Sequence, residues 1–233
     1  MGLEPTSLDR VEVVAFDLDN TLYDEGLYFE AAFASLAPEI GRRAGIAPAA
    51  VERRLREILA EKGKHYHYLF SDVLAELGFD PKADLGWVLA LFRSVETALE
   101  PFPGVRELLR DLGERYRLGL ITSGMQRVQA NKLRLLGLED AFDEVVFSST
   151  LPENKPGQLP FRHLLDRLGA APERAIYVGD NPLFDFRGPN ELGMLTIRVR
   201  NPELDRLRVP PGDDARLRVE LVTEVRELLL GAG

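Results

Sequence analysis

The densest chemistry in the sequence is Asp17-Leu18-Asp19-Asn20-Thr21, which follows directly on the apolar stretch Val11–Phe16. If that stretch is a strand, residues two apart at its end project to one side, so Asp17 and Asp19 can address one ligand. Two carboxylates held that close repel each other and require a compensating cation or a shared proton. Aspartate is also a frequent cap and turn residue, and by itself the pair fits either a site or an ordinary turn.

Three more polar groups stand at the ends of apolar runs. Thr122-Ser123-Gly124 follows Leu118–Ile121, and Lys155-Pro156 lies in the loop beyond Val145–Phe147. Gly179-Asp180-Asn181-Pro182-Leu183-Phe184-Asp185 follows Ala175–Val178. Each has a plain structural explanation: Thr122 as a helix cap, Lys155 as a solvated loop charge, Asp180 as a turn residue. Together they put aspartates, hydroxyls, a lysine and a second aspartate pair on one edge of one sheet, which favours a site.

The elements that must position these groups follow from periodicity. The runs named above, with Leu195–Val199, are short and nearly continuous in apolar residues, as parallel strands covered on both faces require. Between them lie amphipathic stripes, Val105, Leu108, Leu109, Leu112 and Phe161, Leu164, Leu165, Leu168. Alternating strands and helices predict an α/β, doubly wound parallel sheet, which gathers ligands at the carboxyl ends of its strands. From Asp24 to Leu99 the pattern is helical throughout, with stripes Val51, Leu55, Ile58, Leu59 and Val88, Phe92, Val95, Leu99. Gly45–Pro48 and Gly78–Pro81 are expected to connect those helices. The expected organisation is a catalytic core of residues 1–22 and 100–233 with an all-helical domain, 23–99, inserted after the first strand. Arg216–Glu220 is expected as a late edge strand, with Thr223 capping a final helix.

Taken in order, DLDNT at Asp17–Thr21, LITSG around Thr122, KP at Lys155 and GDNPLFD at Asp180 and Asp185 resemble the haloacid dehalogenase superfamily of hydrolases. The resemblance spans nearly the whole chain, including a helical cap of the type-1 kind after the first motif. It implies a Mg²⁺-dependent phosphatase acting on a small phosphorylated metabolite, with Asp17 as nucleophile and Asp19 as general acid–base. An aspartate is already ionised at neutral pH and needs no activating base, but as an anion it must approach a phosphate dianion. Mg²⁺ suits that task. The resemblance assigns to it an oxygen of Asp17, the backbone carbonyl of Asp19 and the side chain of Asp180, with Asp185 behind them or acting through water. Lys155, Thr122 and Ser123 would hold the phosphoryl oxygens. Asp19 is expected to be protonated near neutral pH, raised by a neighbouring carboxylate and partial burial.

Two stretches depart from the family pattern. Gln158 stands where a proline is common after the lysine, and Gly188-Pro189 where Gly-Ala is usual. A shifted loop is expected at the first, and an early break in the following helix at the second. The cluster His65-Tyr66-His67-Tyr68 is expected as an interhelical packing patch, and Asp24 and Glu25 as solvated acids at the turn into the helical insertion.

Composition removes other classes. There is no cysteine, which excludes disulfides, thiolate metal sites and cysteine nucleophiles, and three histidines are too few for a histidine-rich metal site. Acidic residues outnumber basic ones, 38 to 29, for a net charge of −9, against a nucleic-acid or membrane-surface partner. Without an apolar span or a leader-like N-terminus, a cytoplasmic setting is expected. The sequence assigns no oligomeric state. The alternatives are a phosphomutase of the β-phosphoglucomutase-like branch, in which a sugar and not water accepts the phosphoryl group, and a non-catalytic protein of the same fold. The second would be expected to lose Asp17, Asp19, Lys155 or Asp180, and all four are present.

Overall fold

A computed structural model describes residues 8–64 and 66–231 of the chain. Its centre is a six-stranded parallel sheet of β1 (Val13–Phe16), β2 (Arg117–Thr122), β3 (Glu144–Phe147), β4 (Ala175–Gly179), β5 (Leu195–Val199) and β6 (Leu217–Val219). The spatial order is β3-β2-β1-β4-β5-β6. The chain runs outward from β1 through β2 to β3, then returns to β4 on the other side of β1. Strand order therefore reverses at β1, the switch point where an open α/β sheet leaves a crevice beyond its strand ends. Phe16 lies in register with Leu120 and Val178, so the residues that follow all three strands emerge on one rim.

Nine helices occur among the described residues: α1 (Glu25–Ala44), α2 (Pro48–Lys62), α3 (Leu69–Glu76), α4 (Pro81–Arg93), α5 (Val105–Gly113), α6 (Gln126–Leu136), α7 (Leu159–Leu168), α8 (Arg187–Leu192) and α9 (Glu224–Leu230). None is long and apolar enough to cross a membrane. The chain falls into two compact units, Met1–Glu25 with Glu100–Gly233, and Gly26–Leu99. In the first, Val13, Ala15, Ile121, Phe161, Leu164, Ala175 and Tyr177 form one core cluster between sheet and α7. Phe161 meets Tyr177 edge-on, with ring centroids 4.9 Å apart. In the second, the Tyr28 hydroxyl donates to the carbonyl of Phe92 at 2.7 Å, and Phe70 meets the Phe92 ring at 5.0 Å.

Several local expectations change. The first strand begins at Val13, not Val11. Α4 ends at Arg93, so Val95 and Leu99 are buried from a non-helical segment in spite of their helical spacing. Thr223 precedes α9 but its side chain makes no capping bond; the carboxylate of Glu224 accepts from the amide of Leu221 instead. Pro189 does not break α8. It sits in the first turn, where its missing N–H has no helical partner to lose, and the helix ends at the left-handed Gly193. In the Tyr66–Tyr68 segment, Tyr66 donates to Asp72 while His67 and Tyr68 are exposed, so it is no packing patch; His65 lies outside the described residues.

Removing the Phe161 ring should cost about 3–5 kcal/mol, the range for a large buried aromatic cut to alanine. Urea unfolding of Phe161→Ala followed by far-ultraviolet circular dichroism measures it, and a loss below about 1 kcal/mol would contradict the packing described.

Candidate active site

The amide of Asp17 extends the sheet by donating to the carbonyl of Val178 at 2.8 Å, which fixes where its side chain starts. Beyond it the chain turns sharply. Asn20 adopts a left-handed conformation (φ 58°), which asparagine tolerates better than most residues, and its side chain accepts from the amide of Glu25 at 3.2 Å.

Around Asp17 the rim is crowded with charge. The Lys155 ammonium, almost wholly buried, donates to Asp17 at 2.5 Å, to Asp185 at 2.8 Å and to the Tyr177 hydroxyl at 3.0 Å. Asp180 completes the group: a carboxylate oxygen from each of Asp17, Asp180 and Asp185 lies within 4.8 Å of the others, and all three residues are buried. The surroundings leave little freedom. Asp180 accepts from Asn201 at 2.7 Å, and Asp185 from the amide of Asn181 at 2.8 Å. A β-carbon on Gly179 would stand 2.6 Å from the Asp185 carboxylate, and one on Gly188 would stand 2.6 Å from the carbonyl oxygen of Gly157. Glycine at both positions lets Asp185 and the Lys155 loop close on the strand ends. The departure at Gln158 leaves Lys155 in place, and Pro160 falls in the first turn of α7.

Three carboxylates face one paired ammonium in a buried space. Burial first, and then the neighbouring carboxylates, push Asp17 well above the ordinary aspartate range against the pull of Lys155. Asp180 rises to about 7, from burial and the charge of Asp185. A cluster of oxygen donors short of positive charge is the chemistry that a divalent cation fits. Asp185 shares this group of oxygens and is also paired with Lys155.

Asp19 turns away from this cluster into a second one. Its Oδ1 accepts from the Lys132 ammonium and from the Tyr23 hydroxyl, each at 2.6 Å, and its Oδ2 accepts from the Gln129 amide at 2.6 Å. Lys132, also buried, reaches Glu25 at 3.2 Å. Burial would raise the Asp19 carboxyl, but Lys132, Tyr23 and Gln129 together outweigh it and hold the group below its usual range. The expectation of an Asp19 protonated near neutrality is thus corrected: its neighbour Asp17 repels it less than the unforeseen Lys132 attracts it. Glu25, expected in solvent, is part of this cage.

Thr122 is buried at the end of β2, where its hydroxyl oxygen accepts from Gln129 at 2.5 Å. Ser123, half-buried beside it, is 3.0 Å from the Ser148 hydroxyl and donates to Asn154 at 3.3 Å. The same Asn154 oxygen accepts from the amide of Lys155 at 2.9 Å, tying the end of β2 to the lysine loop. Asp17, Lys155, Asp180 and Asp185 therefore form one group on the rim and Asp19 and Thr122 an adjoining one, with Ser123 beside them. Tyr23, Gln129, Lys132, Tyr177 and Asn201 escaped notice. One signal was available: Gln129 and Lys132 lie three apart on α6, next to the buried Val128 and Leu133.

Comparison with known proteins agrees with this geometry. A family model described as haloacid dehalogenase-like hydrolase matches residues 14–199. A glyceraldehyde 3-phosphate phosphatase of Methanopyrus kandleri is 34% identical over 230 residues, covering 94% of this chain and 98% of its own. A phosphoglycolate phosphatase of Chromobacterium violaceum is 30% identical over 181 residues, covering 75% of this chain and 79% of its own. Among solved structures, a phosphatase from Thermococcus onnurineus superposes with a TM-score of 0.67 at 24% identity, over 95% of this chain and 99% of that one, a likeness of fold.

The raised Asp180 gives a pH test of the first cluster. The fold disfavours its ionised form, so it imposes no penalty below its ordinary value of 3.8 and a growing one as pH climbs to about 7. In EDTA, Asp180→Asn should therefore gain stability over the parent between about pH 4 and pH 7, read from paired urea titrations. A difference that stays flat across that interval would contradict a buried, ionising Asp180.

Proposed function

This chain belongs to the haloacid dehalogenase-like hydrolases and is a phosphoric monoester hydrolase of that family; we propose that it is Mg²⁺-dependent and works through a phosphorylated Asp17. The observation that carries the reading is the meeting of Asp17, Lys155, Asp180 and Asp185, from three separate stretches of sequence, on the rim beyond β1 and β4. Asp17, Asp180 and Asp185, with the backbone carbonyl of Asp19, would hold the ion. When bound, it would offset the negative charge that keeps carboxylate and phosphate apart.

The residues then divide the work. An oxygen of Asp17 attacks phosphorus, and the bond from phosphorus to the ester oxygen breaks, leaving an acyl phosphate on Asp17. Lys155, Thr122 and Ser123 hold the phosphoryl oxygens as charge builds on them. Asp19 gives a proton to the departing oxygen, then takes one from the water that attacks the acyl phosphate, releasing phosphate and restoring Asp17. Since Lys132 favours the ionised form of Asp19, the proton that Asp19 passes to the departing oxygen is first taken from the substrate, and the one it takes from the water leaves with the phosphate. The monoanion of a phosphate monoester, whose second ionisation lies near pH 6, carries one.

For the ester itself we propose a short, two- or three-carbon phosphorylated metabolite, with glyceraldehyde 3-phosphate ahead of phosphoglycolate. What supports that order is the higher identity and fuller coverage of the relative named for the former. The helical unit Gly26–Leu99 is read as a cap domain, and the setting as cytoplasmic.

A panel of phosphorylated metabolites assayed for released phosphate tests the proposal. Activity should need Mg²⁺, vanish in EDTA and vanish in Asp17→Asn; turnover that survives both would end the mechanism, and isomerised sugar phosphate without free phosphate would mark a mutase. Asp19→Asn should lose about 10²–10⁴ in rate on alkyl esters, the usual worth of a general acid–base, and much less on p-nitrophenyl phosphate, whose leaving group needs no proton. Equal losses on both would remove Asp19 from that role.

A further inference from the structure

The cage around Asp19 is unusually complete for a group that must move protons. A carboxylate oxygen has two in-plane acceptor positions. Oδ1 takes two donors, Lys132 and Tyr23, each at 2.6 Å. Oδ2 takes one among the described residues, Gln129, also at 2.6 Å. Lys132 is itself anchored from the far side by Glu25 at 3.2 Å, and both side chains are largely buried. The carboxylate plane is thus fixed at three points, and one acceptor position on Oδ2 stays open.

Gln129 extends the arrangement. Its amide nitrogen carries two hydrogens; besides Asp19 it reaches the Thr122 hydroxyl oxygen at 2.5 Å. A threonine oxygen that accepts from Gln129 keeps its own O–H to donate. One side chain therefore sets both the carboxylate of Asp19 and the donor direction of Thr122.

We infer that Lys132 and Gln129 of α6 are positioning residues for the proton transfers, holding Asp19 so that Oδ2 is the oxygen that gives and takes the proton. Neither touches the reacting atoms. Both act through Asp19, Gln129 also through Thr122. The inference rests on the role proposed for Asp19 and adds the groups that orient it. Proton transfer is steep in distance and angle, so a carboxylate released from this cage takes and gives its proton from a poorly aligned position.

The test compares kcat and KM for glyceraldehyde 3-phosphate, an alkyl ester, with those for p-nitrophenyl phosphate, using Mg²⁺-loaded enzyme. Lys132→Met should lower kcat on the alkyl ester by about 10–100-fold, part of what a general acid–base is worth, with KM little changed and the aryl ester nearly unaffected. Lys132→Arg, which restores a cation at the same place, should recover much of the loss. In an Asp19→Asn background, Lys132→Met should add no further loss, because the group it orients is gone. Should Lys132→Met fail to fold for want of a cation beside Asp19 and Glu25, Gln129→Leu, which removes no charge, should show the same preference for harming the alkyl ester. Equal losses on the two esters, or losses that multiply with that of Asp19→Asn, would overturn the inference. If Asp17→Asn itself kept turnover, the underlying mechanism would fall first; an inactive Asp17→Asn beside a uniform Lys132→Met defect would sink the positioning role alone.

Discussion

The structure depends on a deliberate shortage of positive charge. Asp17, Asp180 and Asp185 are drawn together at the switch point of the sheet, and the cation paired with them is Lys155, buried between Asp17 and Asp185. Buried charges are tolerated where their partners are close and their remaining valences satisfied, and a deficit left over becomes a demand for whatever can fill it. Asn201, the amide of Asn181 and the hydroxyl of Tyr177 satisfy valences, but they bring no charge. The demand is visible in Asp17 and Asp180, which burial and the neighbouring carboxylates push above the ordinary aspartate range.

The fold makes this shortage sustainable by making the rim rigid. Β1 is fully buried and paired on both sides, so Asp17 starts from a strand held at both edges. Tyr177 joins site and core in one residue: its ring meets Phe161 edge-on while its hydroxyl meets Lys155. A buried tyrosine in a central strand requires a partner for its hydroxyl, and here the partner is part of the site. The glycines at 179 and 188 complete the fit by removing the atoms that would hold Asp185 and the lysine loop apart.

Much of this was legible in the sequence because strand ends are legible. A short apolar run followed by Asp, Thr or Gly-Asp says where a strand stops, and parallel topology then places those stops on one edge. What escaped detection arrives from the side. Lys132 lies 113 residues from Asp19 along the chain, on a helix where a lysine ordinarily reads as a solvated charge. Only the fold brings that helix face to the rim, so the state of Asp19 could not be read from its neighbour Asp17. Spacing misled in the opposite sense at Val95 and Leu99, whose intervals continue the stripe of α4. The helix had already stopped at Arg93, where the Ser94 hydroxyl turns back to the carbonyl of Ala90 at 3.0 Å. Burial at helical intervals shows that a side faces inward, and does not by itself show that the backbone is a helix.

Two aspartates separated by a single leucine thus receive their compensation from different sources. Asp17 shares Lys155 with Asp185 and remains short of charge, so its state follows whatever cation is available to the cluster. Asp19 is matched by Lys132, a cation that is part of the chain and cannot dissociate. The proposed nucleophile would benefit from the first arrangement, because an ion that screened it would also screen the incoming phosphate. The proposed proton carrier would benefit from the second, because Lys132, and not the ion, holds its carboxylate. Placed in one shared cage, the two carboxylates would titrate as a coupled pair, and each metal-binding event would disturb the proton carrier. Turning Asp19 toward α6 would separate the two proposed roles within a five-residue turn, with the buried lysine on that helix holding Asp19 there.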